Sequence, residues 1–114
     1  MIKLISADKI HEGLSRGVEH NNKHIFIVKK DNLLHIYFNS CPHLGTPLEW
    51  QEDQFLDEDG ALIRCATHGA LFAIESGQCL VGPCKGKSLR KIPFIVSEGA
   101  IMVDEKNLKF PSNF

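Results

Sequence analysis

Short apolar runs, separated by turns that contain glycine or polar residues, make up most of the chain. Within Leu33–Phe38, leucine, isoleucine and phenylalanine at every second position alternate with His35 and Tyr37, which is typical of a half-buried β-strand. Comparable runs predict strands at Ile2–Ser6, His24–Lys29, Leu33–Phe38, Ala61–Cys65, Leu71–Ile74, Leu89–Val96 and Ala100–Val103. The second and third of these runs flank a short polar turn, so they predict a β-hairpin.

No segment shows the sustained 3.6-residue periodicity of an amphipathic helix. Single helical turns are expected only near Ala7–Glu12 and Leu48–Asp53. Pro93 lies inside the run Leu89–Val96 and predicts an edge position for that strand, because proline has no N–H to donate to a neighbouring strand. The chain has 114 residues and contains no repeat or linker, so we predict a single all-β domain over residues 1–114.

The charge of the chain is almost balanced, with 13 basic and 14 acidic residues and a formal net charge of −1. Nucleic acids and anionic membranes select proteins with a marked excess of lysine and arginine, so neither is expected as a partner. The longest apolar run, Ala70–Ile74, is far shorter than a membrane-spanning helix. The first residues lack the apolar region of a secretory signal, and we therefore expect a cytoplasmic protein with reduced cysteines.

Two short segments carry residue types that bind metals. Cys41 and His43 form a C-x-H pair, and after a gap of 21 residues Cys65 and His68 form a C-x-x-H pair. Each pair follows an apolar strand, so both pairs should lie in loops at strand ends. Thiolates suit iron–sulfur centres, whereas imidazole suits iron as well as zinc. A glycine close behind each pair would let backbone N–H groups approach the bound sulfur, and the four residues are the candidate metal ligands.

Two other metal sites use some of the same residues. A structural zinc site would take the same two cysteines and two histidines, although zinc modules usually space their ligands C-x₂₋₄-C and H-x₃₋₅-H. The C-x-H pair does not fit that spacing, but on the residue types alone zinc is the main alternative to an iron–sulfur centre. A four-cysteine cluster would add Cys79 and Cys84, which have the C-x₄-C spacing of plant-type ferredoxins but lack the C-x₂-C continuation. We expect these two cysteines to be thiols packed as small apolar side chains.

The segments around the candidate ligands resemble the Rieske [2Fe–2S] family. The similarity runs through Cys41–Leu48 and Cys65–Phe72 and continues into Gly77–Cys84, which is similar to the family's third, proline-containing loop. The resemblance implies a Rieske iron–sulfur fold of stacked small antiparallel sheets. It also implies a cluster-binding part at about residues 40–86, formed by two ligand loops.

The same resemblance implies a cofactor and a role. One [2Fe–2S] cluster per chain would have its inner iron bound by Cys41 and Cys65 and its outer iron bound by His43 and His68. Such a protein carries single electrons to or from a larger oxidoreductase and is not an enzyme, so it has no catalytic residues and no small-molecule substrate. The expected partners are redox proteins, a reductase or an oxygenase. The alternatives are a tightly bound small subunit of a reductase or dioxygenase, similar to that of assimilatory nitrite reductases, and a non-redox zinc module.

Four positions depart from the pattern of the respiratory Rieske proteins. Those proteins join their two ligand loops by a disulfide, and the corresponding positions here are Thr46 and Thr67. They also donate hydrogen bonds to cluster or ligand sulfur from a serine and a tyrosine, where this chain has Ala70 and Phe72. Missing donors leave the added electron of the reduced cluster less stabilised, so the resemblance implies a reduction potential at the low end of the Rieske range.

Two charged segments border the motifs. Glu49–Gly60 contains six carboxylates and no basic residue, whereas the stretch after the third loop carries Lys85, Lys87, Arg90 and Lys91. Each segment is compatible with a solvated surface. Each is also compatible with a patch that orients a partner protein, since charges at the rim of an interface chiefly set encounter rate and register. The sequence does not choose between these interpretations.

Overall fold

The computed structural model describes residues 1–40, 48, 51–66 and 69–108. Within that part the chain forms β-strands and two 3₁₀ turns, Ala7–Lys9 and Glu105–Leu108, and contains no α-helix. The strands are β1 (Ile2–Ser6), β2 (Ser15–His20), β3 (Lys23–Lys30), β4 (Leu33–Phe38), β5 (Leu62–Arg64), β6 (Leu71–Ala73), β7 (Cys79–Val81), β8 (Ile95–Ser97) and β9 (Ala100–Val103). They form three antiparallel sheets, ordered β1–β9–β8, β2–β3–β4 and β5–β6–β7, which confirms the predicted all-β fold of small antiparallel sheets.

β3 and β4 form the predicted hairpin through a two-residue turn. Asp31 and Asn32 both have positive φ, 53° and 65°, a conformation that these residue types tolerate and that matches the twist of the flanking strands. The Glu12 carboxylate accepts hydrogen bonds from both turn N–H groups, at 2.7 and 2.8 Å. The turn therefore fixes the register in which Lys30 lies opposite Leu33.

The middle sheet, β2–β3–β4, is covered on both faces, and the prediction of a half-buried β4 is wrong. His35, which we expected on a polar face, is only 7% exposed. Two separate cores explain this burial. One face packs against the sheet β1–β9–β8, in a core that includes Ile25, Ile27, Ile36, Phe38, Ile92, Ile101 and Val103. The other face packs against the sheet β5–β6–β7, in a core that includes Phe26, Val28, Tyr37, Phe55, Ile63, Cys65 and Phe72.

The structure differs from the predicted strands at three places. β2 and β7 were not predicted: β2 has little apolar alternation and forms because all six of its residues pair with β3, and β7 has only three residues. The predicted strand Leu89–Val96 is wrong over most of its length, since only its last two residues belong to β8. The Arg90 carbonyl accepts the N–H of Phe38, and the N–H of Ile92 donates to the Ile36 carbonyl. The run therefore crosses from the edge of the middle sheet to the first sheet, and Pro93 lies in the crossing.

The predicted bounds of β1, β4 and β9 agree with the structure. A 3₁₀ turn at Ala7–Lys9 lies inside the first predicted helical turn, whereas the second, Leu48–Asp53, includes residues outside the described part. None of the helices in the described residues has the length and apolar character needed to cross a membrane.

Candidate metal centre

Cys65 is the predicted ligand that lies within the described residues, and Cys41, His43 and His68 lie outside them. Cys65 directly follows β5 and has no exposed surface. Its side chain belongs to the core between the middle sheet and the sheet β5–β6–β7. The sulfur at this position is therefore shielded from solvent by apolar side chains.

The second ligand loop is a tight connection between β5 and β6. The Cys65 N–H donates to the Ala70 carbonyl at 2.8 Å, and the Gly69 N–H donates to the Cys65 carbonyl at 2.9 Å. Gly69 has a φ of 67°, which glycine adopts without steric cost. These two hydrogen bonds fix where the loop leaves the sheet and where it returns, so the loop that contains His68 has a defined base.

The first ligand loop is anchored at both ends. It leaves β4 at Asn39, whose N–H donates to the His24 carbonyl at 2.9 Å. It returns at the buried Leu48, whose N–H donates to the Asn39 Oδ1 at 2.7 Å. The Leu48 carbonyl accepts the N–H of Ala66 at 2.9 Å, and Ala66 follows Cys65 in the chain. We refer to Asn39, Leu48 and Ala66 as the loop clamp, because they join the bases of both ligand loops.

The loop clamp is not predicted from the sequence, because its residues are not of the types that bind metals. The available signal was an asparagine at the end of a predicted strand, two residues before Cys41. Asparagine side chains at such positions bond neighbouring backbone groups and so shape the loop that follows. Leu48 carries no comparable signal, since its contribution comes from its backbone and from burial.

A third loop follows β7 and packs on the second ligand loop. Gly82 has a φ of 115°, and a Cβ at this position would lie only 2.9 Å from the Cβ of Ala70. Cys79, the first residue of β7, and Cys84, in the loop, are 2% and 1% exposed. Their predicted packing as small apolar side chains is confirmed, since both lie in the same core as Cys65.

Two titratable side chains lie on β4, the strand that leads into the first ligand loop. The Tyr37 hydroxyl donates to the Ile74 carbonyl, and burial, together with the charge of Glu75, raises the pKa of Tyr37 to about 12. Burial and the positive charge of Lys91 lower the pKa of His35, partly opposed by Glu75. The His35 Nδ1 is buried and has no hydrogen-bond partner among the described residues. Both side chains are therefore uncharged at neutral pH.

Opposite charges border the two edges of the sheet β5–β6–β7. Leu56 pairs with Ile63 of β5, which brings the acidic segment to one edge. Ser88 pairs with Gln78, the residue before β7, which brings the basic segment to the other edge. The sheet that precedes Cys65 thus has the acidic segment along its β5 side and the basic segment along its β7 side.

The acidic edge lies beside the second ligand loop. Asp57–Asp59 line a surface cleft together with Arg64 and Gly69. Glu58 and Asp59 are exposed, and so are all four basic residues of the opposite segment. Glu49, the first carboxylate of the acidic segment, lies outside the described residues.

An all-β protein with two loops joined at their bases, each carrying one cysteine and one histidine, belongs to the class of proteins that bind a metal centre between strand-end loops. Two thiolates and two imidazoles are a donor set that fits an iron–sulfur cluster. A model of the Rieske [2Fe-2S] domain matches residues 1–99, and the chain belongs to this family. Its cofactor is one [2Fe–2S] cluster per chain, and this assignment replaces the alternative of a structural zinc site.

Solved structures with a similar fold include ferredoxins, ferredoxin–oxygenase complexes and terminal oxygenases. The Sphingomonas yanoikuyae B1 ferredoxin is 22% identical with a TM-score of 0.74, over 90% of this chain and 96% of that chain. The ferredoxin of carbazole 1,9a-dioxygenase from Nocardioides aromaticivorans IC177 is 18% identical with a TM-score of 0.71, over 90% and 94%. A complex of reduced oxygenase and oxidised ferredoxin in carbazole 1,9a-dioxygenase matches at 21% identity and a TM-score of 0.71, over 90% of each chain. No curated protein matches the chain.

Proposed function

We propose that this protein carries single electrons, with its cluster held by Cys41, His43, Cys65 and His68. The observation that supports this assignment best is the loop clamp, which ties the loop of the first pair to the residue after Cys65. In a chain of the Rieske family, two Cys/His loops with a common base are the arrangement that holds one cluster between them. A bound [2Fe–2S] cluster supplies one-electron redox chemistry at this place.

The described residues around the ligand loops shield the Cys65 sulfur from solvent and position the bases of the loops. The Cys65 side chain is buried, and its own backbone closes the second loop through Gly69 and Ala70. Gly82 brings the third loop into contact with Ala70 and covers the base of the second loop. The hydrogen bonds at the loop bases restrain the described residues around the site. Such restraint favours electron transfer, because a site that moves little between its two redox states has a small reorganisation cost.

The protein is in this proposal a carrier and not an enzyme. The structural neighbours include two ferredoxins and a complex of a ferredoxin with an oxygenase, which supports this role. We propose a reductase and an oxygenase as partners, in the cytoplasm, with no nucleic-acid, membrane or small-molecule ligand. We also propose that residues 1–114 form one domain with its cluster-binding part at about residues 40–86.

Metal analysis of anaerobically purified protein tests the ligand set. We expect two irons and two acid-labile sulfides per chain, as a [2Fe–2S] cluster requires. Single replacement of Cys41, His43, Cys65 or His68 by alanine should remove the cluster or make it unstable. A matched control is Cys79→Ala, which removes a buried thiol from the same core but should retain iron and the visible spectrum.

Stoichiometric zinc with no iron in the unmodified protein would contradict the electron-carrier proposal. Retention of a normal cluster in any of the four alanine variants would remove that residue from the ligand set. Reversible bleaching of the visible spectrum by dithionite, followed by reoxidation, separates a redox centre from a structural one.

The charge arrangement supports a proposal for how a partner is oriented. The acidic edge lies next to the second ligand loop, whereas the basic edge lies on the far side of the same sheet. A partner with a basic surface beside its redox centre would therefore approach the β5 edge, where the distance to the ligand loop is short. Long-range attraction of this kind increases the association rate and is screened by salt.

Stopped-flow reduction of cytochrome c, a basic redox protein, tests this orientation. The rate with the dithionite-reduced protein should fall as ionic strength rises, and the double variant Glu58→Lys, Asp59→Lys should react more slowly at low salt. Asp8→Lys changes an exposed carboxylate on the N-terminal 3₁₀ turn and serves as the control. Equal rates for the double variant and the control would reject the acidic edge as the docking side.

A further inference from the structure

Cys79 and Cys84 lie closer together than packing requires. Their sulfur atoms are 2.7 Å apart, only about 0.7 Å more than the length of an S–S bond, about 2.05 Å. The Cys79 thiol also lies 3.4 Å from the Val81 carbonyl, a weak interaction that holds the sulfur on the inner side of the loop. Both side chains are almost fully buried, and the surrounding core residues keep them next to each other.

The backbone of the third loop holds the two cysteines in this position. The Cys79 N–H donates to the Lys87 carbonyl at 2.9 Å, and the Lys87 N–H donates to the Cys84 carbonyl at 2.9 Å. Lys85 and Gly82 form a further hydrogen bond inside the loop, at 3.2 Å. The ends of the loop are thus tied to one another independently of the sulfurs. A bond between the two sulfurs would need only a small movement of two side chains.

We propose that Cys79 and Cys84 form a reversible disulfide in the folded protein, with low-molecular-weight disulfides as the oxidant. One cysteine sulfur, as its thiolate, attacks a sulfur of the small disulfide, whose S–S bond breaks and releases the first small thiol. The second cysteine sulfur then attacks the mixed disulfide, forms the Cys79–Cys84 bond and releases the second small thiol. Two electrons pass from the cysteine sulfurs to the small disulfide, and the two cysteine protons end on the two released thiols.

The position of the pair couples it to the second ligand loop. Gly82 lies between the two cysteines in sequence and contacts Ala70, and the Ala70 carbonyl accepts the N–H of Cys65. Shortening the sulfur–sulfur distance would shift the two cysteine side chains that flank this contact. The inferred consequence, which rests on the proposed function, is that the oxidation state of the dithiol alters the spectrum of the cluster.

Alkylation and mass spectrometry of the cluster-loaded protein test the disulfide itself. The protein is incubated anaerobically with oxidised glutathione, quenched in acid, treated with iodoacetamide in denaturant and digested. Cleavage after Glu75 separates Cys65 from the pair, and cleavage after Lys85 isolates residues 76–85. We expect this peptide to carry no alkyl label and to weigh two hydrogens less than the peptide with two free thiols. After reduction with dithiothreitol, both cysteines should take up the label. Cys79→Ala and Cys84→Ala should give no cross-linked peptide.

The unfolded chain serves as the reference for the oxidising conditions. If conditions that cross-link the unfolded chain leave both cysteines of the folded protein fully alkylated, the proposal is wrong. A cross-link between Cys65 and either residue, formed only when iron is lost, would also overturn it. EPR of the reduced cluster before and after oxidation of the dithiol tests the coupling. A shift in the wild type that is absent from the Cys79→Ala, Cys84→Ala double variant supports the coupling, and identical spectra would reject it. Because the peptide result does not depend on iron content, failure of the proposed function would leave the disulfide test intact.

Discussion

The side chain of Asn39 and the main chain of Leu48 are joined by a hydrogen bond of 2.7 Å, from the Leu48 N–H to the Asn39 Oδ1. The two residues are nine positions apart in the chain, and their bond closes the first ligand loop at its base. Because the Leu48 carbonyl is also bonded to the residue after Cys65, a change at Asn39 reaches both ligand loops.

The first prediction concerns this bond. Asn39→Ala leaves the Leu48 N–H without its acceptor in a partly buried site, and we expect a loss of about 1–3 kcal/mol in the free energy of unfolding. The loosened loops should also change the EPR signal and the midpoint potential of the cluster. Asn39→Asp keeps an oxygen acceptor and should restore both. Asn107→Ala, an exposed asparagine, should behave as wild type, and an unchanged EPR signal in Asn39→Ala would contradict a positioning role.

Contact between the third loop and the second ligand loop gives the second prediction. Gly82→Ala combines an unfavourable positive φ with a Cβ placed 2.9 Å from the Cβ of Ala70. Gly86→Ala shares the positive φ, 95°, but meets nothing within 4 Å. Backbone strain alone costs about 1–3 kcal/mol in either variant. We expect Gly82→Ala to be the less stable in urea denaturation and the only one to shift the cluster's EPR signal; equal behaviour would show that the loop contact has no effect on the site.

The reduction potential is the subject of the third prediction. The family resemblance places Ala70 and Phe72 where respiratory Rieske proteins have hydroxyl donors. Neither side chain has a hydroxyl, and both are buried. We expect a midpoint potential below zero, near the low end of about −150 mV, by protein-film voltammetry at pH 7. Ala70→Ser and Phe72→Tyr should raise it, whereas Ala61→Ser on the exposed surface should not. A value above about +100 mV in the unmodified protein would contradict the ferredoxin role.

The fourth prediction follows from the buried His35. Burial and Lys91 lower the pKa of His35 below its usual value of 6.5, so the unfolded chain takes up a proton at pH values where the folded protein does not. Stability from neutral His35 is complete above about pH 6.5 and is lost as the pH falls through the lowered pKa of the folded state. Thermal unfolding between pH 7 and pH 5 should therefore show a smaller pH dependence in His35→Leu. The exposed His11→Leu is the control, and the same slope in wild type and His35→Leu would contradict the argument.

Much of the fold follows from local sequence pattern. The bounds of β1, β4 and β9 agree with their apolar runs, because a run of four to six residues rich in strand-forming side chains is sufficient to define each strand. The two Cys/His pairs also identify the family without any structure, since metal ligation requires particular residue types at particular spacings. These features depend on neighbours in the chain, which the sequence shows directly.

Other features depend on partners that are distant in the chain. β2 is a strand because β3 offers it a complete ladder, and Leu89–Val96 divides between two sheets because each pairs with a different part of it. His35 looks like a residue of a polar face, but a second core covers that face and buries it. The Asn39–Leu48 bond and the 2.7 Å approach of Cys79 to Cys84 arise in the same way. The sequence by itself determined the family and the candidate ligands of the cluster. The packing of sheets on sheets decided what surrounds the described part of the site, because burial and hydrogen bonding are properties of pairs brought together only by folding.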